Sequence, residues 1–306
     1  MWRSAKSDRA PSLPNACPAA VVAYGVAVVH YLICTTQRAG SNLLCSLLHQ
    51  TGVAGMVPHP ALDQELALQA ILGPNGWGVP ACPVQGAGQL RAFLLECFEQ
   101  SRSPNGVGGW KLMMTHVEQL ARRLDGSGDP AHVVELVSED CRFVFLYRAD
   151  LLGQAISIVR AMNTQCWDSG SQAEFRGLEI FDPHEALARC ERLQAANQQW
   201  RRLLADTGDR YLELTYEQLT EDPAATVGRV CDHIGVTAPT EIPITSRYAR
   251  QATARSDRYR RVVERLAASS AKRRRLDHSV RLPVRLLGRR LSSARFHRRV
   301  AREWTT

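Results

Sequence analysis

The first stretch whose residue types invite chemistry is TTQRAGSN, Thr35 to Asn42. Ala39, Gly40 and Ser41 are small enough for backbone N–H groups to approach an anion closely. Thr36 and Ser41 offer hydroxyls, and Arg38 adds a permanent cation. An apolar run, Tyr31 to Cys34, leads into the loop, and a second run at helical spacing, Leu43 to Leu48, leaves it. Strand, small-residue loop and helix N-terminus together suit a phosphate or sulfate. The GK[ST] of a nucleotide-hydrolysing P-loop is missing, as is an aspartate ending the next apolar strand, so magnesium-dependent γ-phosphate chemistry is disfavoured. An ordinary strand–helix turn carrying a surface arginine is the plain alternative.

A second anion-seeking element follows RFVFLY, Arg142 to Tyr147. Arg148 stands at the C-terminal end of that run, where α/β folds open their ligand crevice. Ser157 lies two turns into the helix that the next residues predict. Two such elements suit one nucleotide carrying two separated phosphate groups.

The elements that must position these residues alternate along the chain. Strands are expected over Val28–Cys34, Gly106–Met114, Arg142–Tyr147 and Tyr211–Thr215. Helices are expected over Leu43–Gln50, Leu90–Ser101, Leu151–Met162, Pro183–Asp206 and Pro223–Ile234, with Ala131–Val137 a helix or turn and Gly73–Gly88 a loop. Asp182-Pro183 and Asp222-Pro223 read as helix N-cap and N1 pairs. The alternation predicts an α/β domain, a P-loop-like three-layer fold around a central parallel sheet. Domain limits follow: an apolar extension over 1–27, disordered at its start, the folded domain over 28–265, and a basic tail over 266–306.

The chain has 306 residues and a formal charge of +8, but the charge is uneven. Residues 271–306 hold 12 Lys+Arg and 2 Asp+Glu, leaving the first 270 with 26 basic and 28 acidic residues. The basicity therefore belongs to the tail, which interleaves Arg with Leu, Val, Phe and Trp and is interrupted by Pro283 and Gly288. A solvated extension is expected there, and weak contact with anionic membrane surfaces is the alternative. No nucleic-acid-binding module accompanies the charge. The nine cysteines show no metal-ligand spacing and several sit in apolar runs, which points to reduced thiols in a cytoplasmic protein. Residues 19–34 are too short and too interrupted, by His30, for a membrane span.

Four segments in order, TTQRAGSNLLCSLL, TGVAG, NGVGGWKLM and FVFLYRADLLGQAISIVRAMNTQCW, resemble the Stf0 family of sulfotransferases, and YLELTYEQLTEDPAATVGRVCDHIGV resembles a region common among sulfotransferases. RQATARSD, Arg250 to Asp257, is similar to that family's C-terminal nucleotide-binding stretch. The resemblance spans about 30–260. It implies sulfuryl transfer from 3′-phosphoadenosine-5′-phosphosulfate (PAPS) to a hydroxyl acceptor, with no metal. Arg38, Ala39, Gly40, Ser41 and Asn42 would then form the 5′-phosphosulfate loop, although the family usually has Ser or Thr at position 42. Arg148 and Ser157 would hold the 3′-phosphate, and Arg250 and Arg255 are further candidates for the same nucleotide.

In-line displacement at sulfur needs cations where charge develops and a base at the acceptor hydroxyl. Arg38, the loop amides and Lys111 suit the first task, with surface charge the alternative for Lys111. For the base, ungapped alignment after GVAG places His59 where the trehalose member of the family carries a glutamate. His116 is the rival, and His59 as a plain loop residue is the alternative. Tyr216 and Glu217 read as structural. Two other functions stay open: an ATP-dependent phosphotransferase, and a nucleotide- or anion-binding protein without catalysis. A carbohydrate, glycolipid or small molecule would fit as acceptor, and Stf0 relatives form dimers.

Overall fold

A computed structural model describes residues 29–56, 86–126, 128–139, 141–164, 166, 180–241 and 254–279. They form two compact units. The first comprises the described residues up to Leu151 together with Leu193 to Glu241; the second comprises those from Leu152 to Arg192 and from Ala254 onward.

The first unit is built on four strands, β1 (Val29–Thr35), β2 (Val107–Met113), β3 (Cys141–Tyr147) and β4 (Tyr211–Thr215). All pair in parallel in the order β2-β1-β3-β4. β1 is central, and Thr35 at its end is in register with Met113 on one side and Leu146 on the other. The continuous apolar runs have the cause the sequence suggests, because both faces of the sheet are covered. Leu32, Cys34, Trp110, Leu112, Phe143 and Phe145 face one core. It is closed by α2 (Ala87–Gln100), α3 (Met114–Asp125), α4 (Pro130–Ser138) and the second half of α6 (Pro183–Leu204). Tyr31, Ile33, Val144, Leu146 and Leu214 face the other. There α1 (Ser41–Gln50), α7 (Tyr216–Glu221) and α8 (Pro223–Ile234) close it.

In the second unit, Val159 of α5 (Leu151–Thr164), Ala186 of α6 and Val263 of α9 (Ala254–Ser279) form a small buried cluster. Phe181 stacks on Tyr259 with centroids 4.0 Å apart, and Arg160 Nη1 donates to Ser256 Oγ at 2.8 Å.

The expected three-layer α/β architecture is what the chain adopts, with shifts at element ends. Helix α1 starts at Ser41, not Leu43, because Gly40 takes the left-handed conformation (φ 85°) that ends the loop and lets the helix begin at once. Met114 opens α3 rather than closing β2, and α2 begins at Ala87, inside the stretch expected as loop. Ala131–Val137 is helical within α4, capped by Asp129, whose carboxylate accepts from Ala131 N. Asp222 caps α8 and Asp182 accepts from His184 N, as the Asp-Pro pairs predict. Helix α6 ends at Leu204 and passes into a 3₁₀ turn over Ala205–Arg210. Helix α9 runs through the expected domain limit at 265/266. Among the described residues the cysteines are thiols, all buried but Cys190. Among the same residues no helix is long and apolar enough to cross a membrane.

Candidate active site

The loop that leaves β1 is held from below. Thr35 Oγ1 donates to the Leu146 carbonyl at 2.8 Å, and Trp200 Nε1 donates to the Thr35 carbonyl at 2.9 Å. With the strand end fixed on both sides, Ala39 N closes a turn onto the Thr36 carbonyl at 3.4 Å. Arg38 sits at φ 63°, a region that non-glycine residues rarely adopt and that costs on the order of 1 kcal/mol. Gly40 follows at φ 85° and has no side chain to cap α1, so the helix starts with its first N–H groups unserved by its N-cap. These are the requirements for holding an anion at a helix N-terminus, with Arg38 half-buried beside it.

Arg148 leaves β3, the strand next to β1, at the same end of the sheet. Its guanidinium donates through Nη2 to Asp150 Oδ2 at 3.3 Å, while its buried Nε has no hydrogen-bond partner. The guanidinium also lies over the ring of Tyr216, 4.9 Å from the centroid. That same ring packs against the loop glycine so closely that a Cβ on Gly40 would fall 2.4 Å from it. One aromatic ring thus joins the two anion-seeking elements.

Tyr216 is positioned by a capping box. Thr215 Oγ1 accepts from Gln218 N, and the Gln218 side chain accepts from Thr215 N. The next residue, Glu217, uses both carboxylate oxygens on the backbone after Arg148, accepting from Ala149 N at 3.0 Å and Asp150 N at 3.2 Å. The reading of Tyr216 and Glu217 as structural is therefore incomplete, since what they hold in place is the arginine expected to bind phosphate. The helix-start pattern TYEQ was visible in the sequence, but nothing there says what the ring and carboxylate touch.

Lys111 is buried, 5% exposed, and its Nζ donates to Asn42 Oδ1 at 2.7 Å. The surface-charge alternative is excluded. β2 delivers the ammonium to the first turn of α1, and the amide at position 42, where the family usually has a hydroxyl, accepts from it. His116 lies on the first turn of α3, just past the end of β2, and is 9% exposed. Burial first, and then the nearby Lys111 charge, push its pKa down to about 4, so it is neutral at physiological pH.

Ser157 is half-buried on α5 and Arg255 is exposed on α9, both in the second unit. His59 and Arg250 lie outside the described residues. Among the described residues no group of three His, Cys, Asp or Glu side chains is placed to hold a metal.

Residues 30–265 match the Stf0 sulphotransferase family. The chain belongs to that family. It is a sulfotransferase, an enzyme that moves the sulfuryl group of PAPS to a hydroxyl acceptor. The trehalose 2-sulfotransferase of Mycobacterium tuberculosis (strain Erdman) is 30% identical over 270 residues, 78% of this chain and 97% of the relative. That of Mycolicibacterium smegmatis is 29% identical over 266 residues, 77% and 96% of the two chains. Among solved structures, the sulfotransferase domain from the curacin biosynthetic pathway is 14% identical with a TM-score of 0.40, covering 75% of this chain and 82% of its own. A Mycobacterium avium sulfotransferase is also 14% identical, with a TM-score of 0.36 over 76% and 67% of the chains.

Proposed function

We infer that Arg38 to Asn42 hold the 5′-phosphosulfate of PAPS, that Arg148 takes the 3′-phosphate, and that the acceptor is a saccharide hydroxyl. The observation that carries the reading is the Tyr216 ring, in contact with Gly40 and under Arg148. It ties the two cation-bearing loops of neighbouring strands into one anion-binding assembly. The saccharide class comes from the two relatives, both trehalose 2-sulfotransferases.

In the transfer, the acceptor oxygen forms a bond to sulfur as the bond from sulfur to the 5′-phosphate oxygen breaks. The bisphosphate departs with that electron pair, and the acceptor proton goes to a base. Arg38 and the loop N–H groups face the charge that grows on the bridging oxygen. Lys111 supplies a second, buried cation. His116, just past the end of β2 and unprotonated at physiological pH, is the candidate base among the described residues, its low pKa limiting its strength. His59 is the other candidate, and Ser157, Arg250 and Arg255 are further candidates for the nucleotide.

The test is transfer from sulfur-35-labelled PAPS to trehalose, glucose, sucrose and methyl glucoside, in the presence of a chelator. Labelled sugar formed with an equal amount of adenosine 3′,5′-bisphosphate supports the reading. Turnover of Mg-ATP in place of PAPS would contradict it.

A further inference from the structure

Asn197 is 4% exposed, and its amide carbonyl oxygen has no hydrogen-bond partner. It belongs to the face of α6 that carries Leu193, Trp200 and Leu204, all buried in the first unit. A buried acceptor left without a donor is unfavourable, and a donor brought by a ligand would satisfy it.

The fold says where that oxygen lies. Helix α6 ends at Leu204 and returns through the 3₁₀ turn to the start of β4, so it runs opposite to the strands. Trp200 reaches the carbonyl of Thr35, the last residue of β1. Asn197 is three residues earlier, about 4.5 Å further along the axis. It therefore lies beyond the C-terminal ends of the strands, at the level of the ligand crevice. Trp200 and Leu204 pack in the core that also holds α3, whose first turn carries His116. The helices on either side of the anion loop's contacts, α1 and α7, pack in the opposite core.

The chemistry of a carbonyl oxygen narrows the ligand further. Phosphate and sulfate oxygens also accept and would be repelled, so the partner must bring an O–H or N–H. We propose that Asn197 accepts a hydrogen bond from a hydroxyl of the sulfate acceptor, on the His116 side of the sheet, and so helps select and orient that acceptor. The assignment rests on the saccharide-acceptor reading above.

Three properties of Asn197→Leu and Asn197→Asp test it: the acceptor KM for whichever sugar of the panel the wild type sulfates fastest, the affinity for adenosine 3′,5′-bisphosphate, and the melting temperature. Leucine keeps the volume and removes an unserved buried acceptor, so Asn197→Leu melts no lower than wild type. Its acceptor KM rises about tenfold or more while bisphosphate affinity stays within about twofold. Asn197→Asp keeps an accepting oxygen and recovers most of the acceptor KM. An unchanged acceptor KM in Asn197→Leu, a parallel loss of bisphosphate affinity, or a fall in its melting temperature would each overturn the assignment and leave the saccharide reading standing. If the wild type sulfates none of the sugars, that reading fails and this assignment falls with it.

Discussion

The guanidinium of Arg148 lies 4.9 Å above the ring of Tyr216, and the same ring fills the space beside Gly40. Tyr216 therefore acts on both phosphate-seeking loops at once. A cation over a partly desolvated ring contributes about 1–2 kcal/mol. Tyr216→Ala is expected to weaken bisphosphate binding by about tenfold in calorimetry, whereas Tyr216→Phe keeps the ring and stays close to wild type. Equal losses in both variants would show that the hydroxyl, not the ring, is what matters.

Glu217 fixes the backbone that carries Arg148 through two charge-assisted hydrogen bonds, to Ala149 N and Asp150 N. Glu217→Ala frees both N–H groups and lets the arginine wander. KM for PAPS should rise several-fold, with kcat and the acceptor KM changing much less. A fall in kcat alone would contradict a role in placing Arg148.

The depressed pKa of His116 has consequences for stability and rate. Folding holds the imidazole neutral down to about pH 4, whereas the unfolded chain takes up the proton near its ordinary value of 6.5. This contribution is intact above pH 6.5 and is lost progressively as pH falls toward 4, by up to about 3 kcal/mol. As pH falls through that window the wild type should lose stability relative to His116→Gln, which has no group titrating there, in denaturation followed at several pH values. If His116 is the base, kcat/KM keeps its level below pH 6 and its acid limb moves upward in Lys111→Met, because the repelling cation is gone. An acid limb at 6.5 that ignores Lys111 would instead favour His59.

The Lys111–Asn42 bond joins β2 to the first turn of α1. Removing the amide in Asn42→Ala leaves a buried ammonium without that acceptor, and should destabilise the fold by about 1–3 kcal/mol. Asn42→Thr restores a hydroxyl acceptor and should recover part of the loss. Thermal melts of the two variants check this, and an unchanged melt in Asn42→Ala would mean that Lys111 is held otherwise.

The sheet was readable because parallel strands buried on both faces leave runs such as RFVFLY, and the helices because Asp-Pro caps and terminal glycines mark their ends. The strand–loop–helix junction after β1 was readable because an apolar run, a stretch of small residues and a second run at helical spacing follow one another there. What could not be read depends on contacts distant in sequence. Glu217 meets Ala149 across 68 positions, and Trp200 meets Thr35 across 165. A tyrosine after a strand looks the same whether it packs on a glycine or faces water. Asn197 was silent for a similar reason, since a lone asparagine in a polar-looking helix gives no sign that its face is turned inward. Lys111 looked ambiguous because alternation along a glycine-led strand does not say what covers each side.

On the proposed reading, the loops after β1 and β3 bind one bisphosphate nucleotide. Calorimetric titration with adenosine 3′,5′-bisphosphate, run beside Mg-ATP on wild type and Arg148→Ala, tests it most directly. Tight binding of the bisphosphate that needs no metal and falls at least about thirtyfold in the variant is the expected result, as loss of a charge-assisted phosphate contact requires. Equal affinity in wild type and Arg148→Ala, or a preference for Mg-ATP, would contradict it.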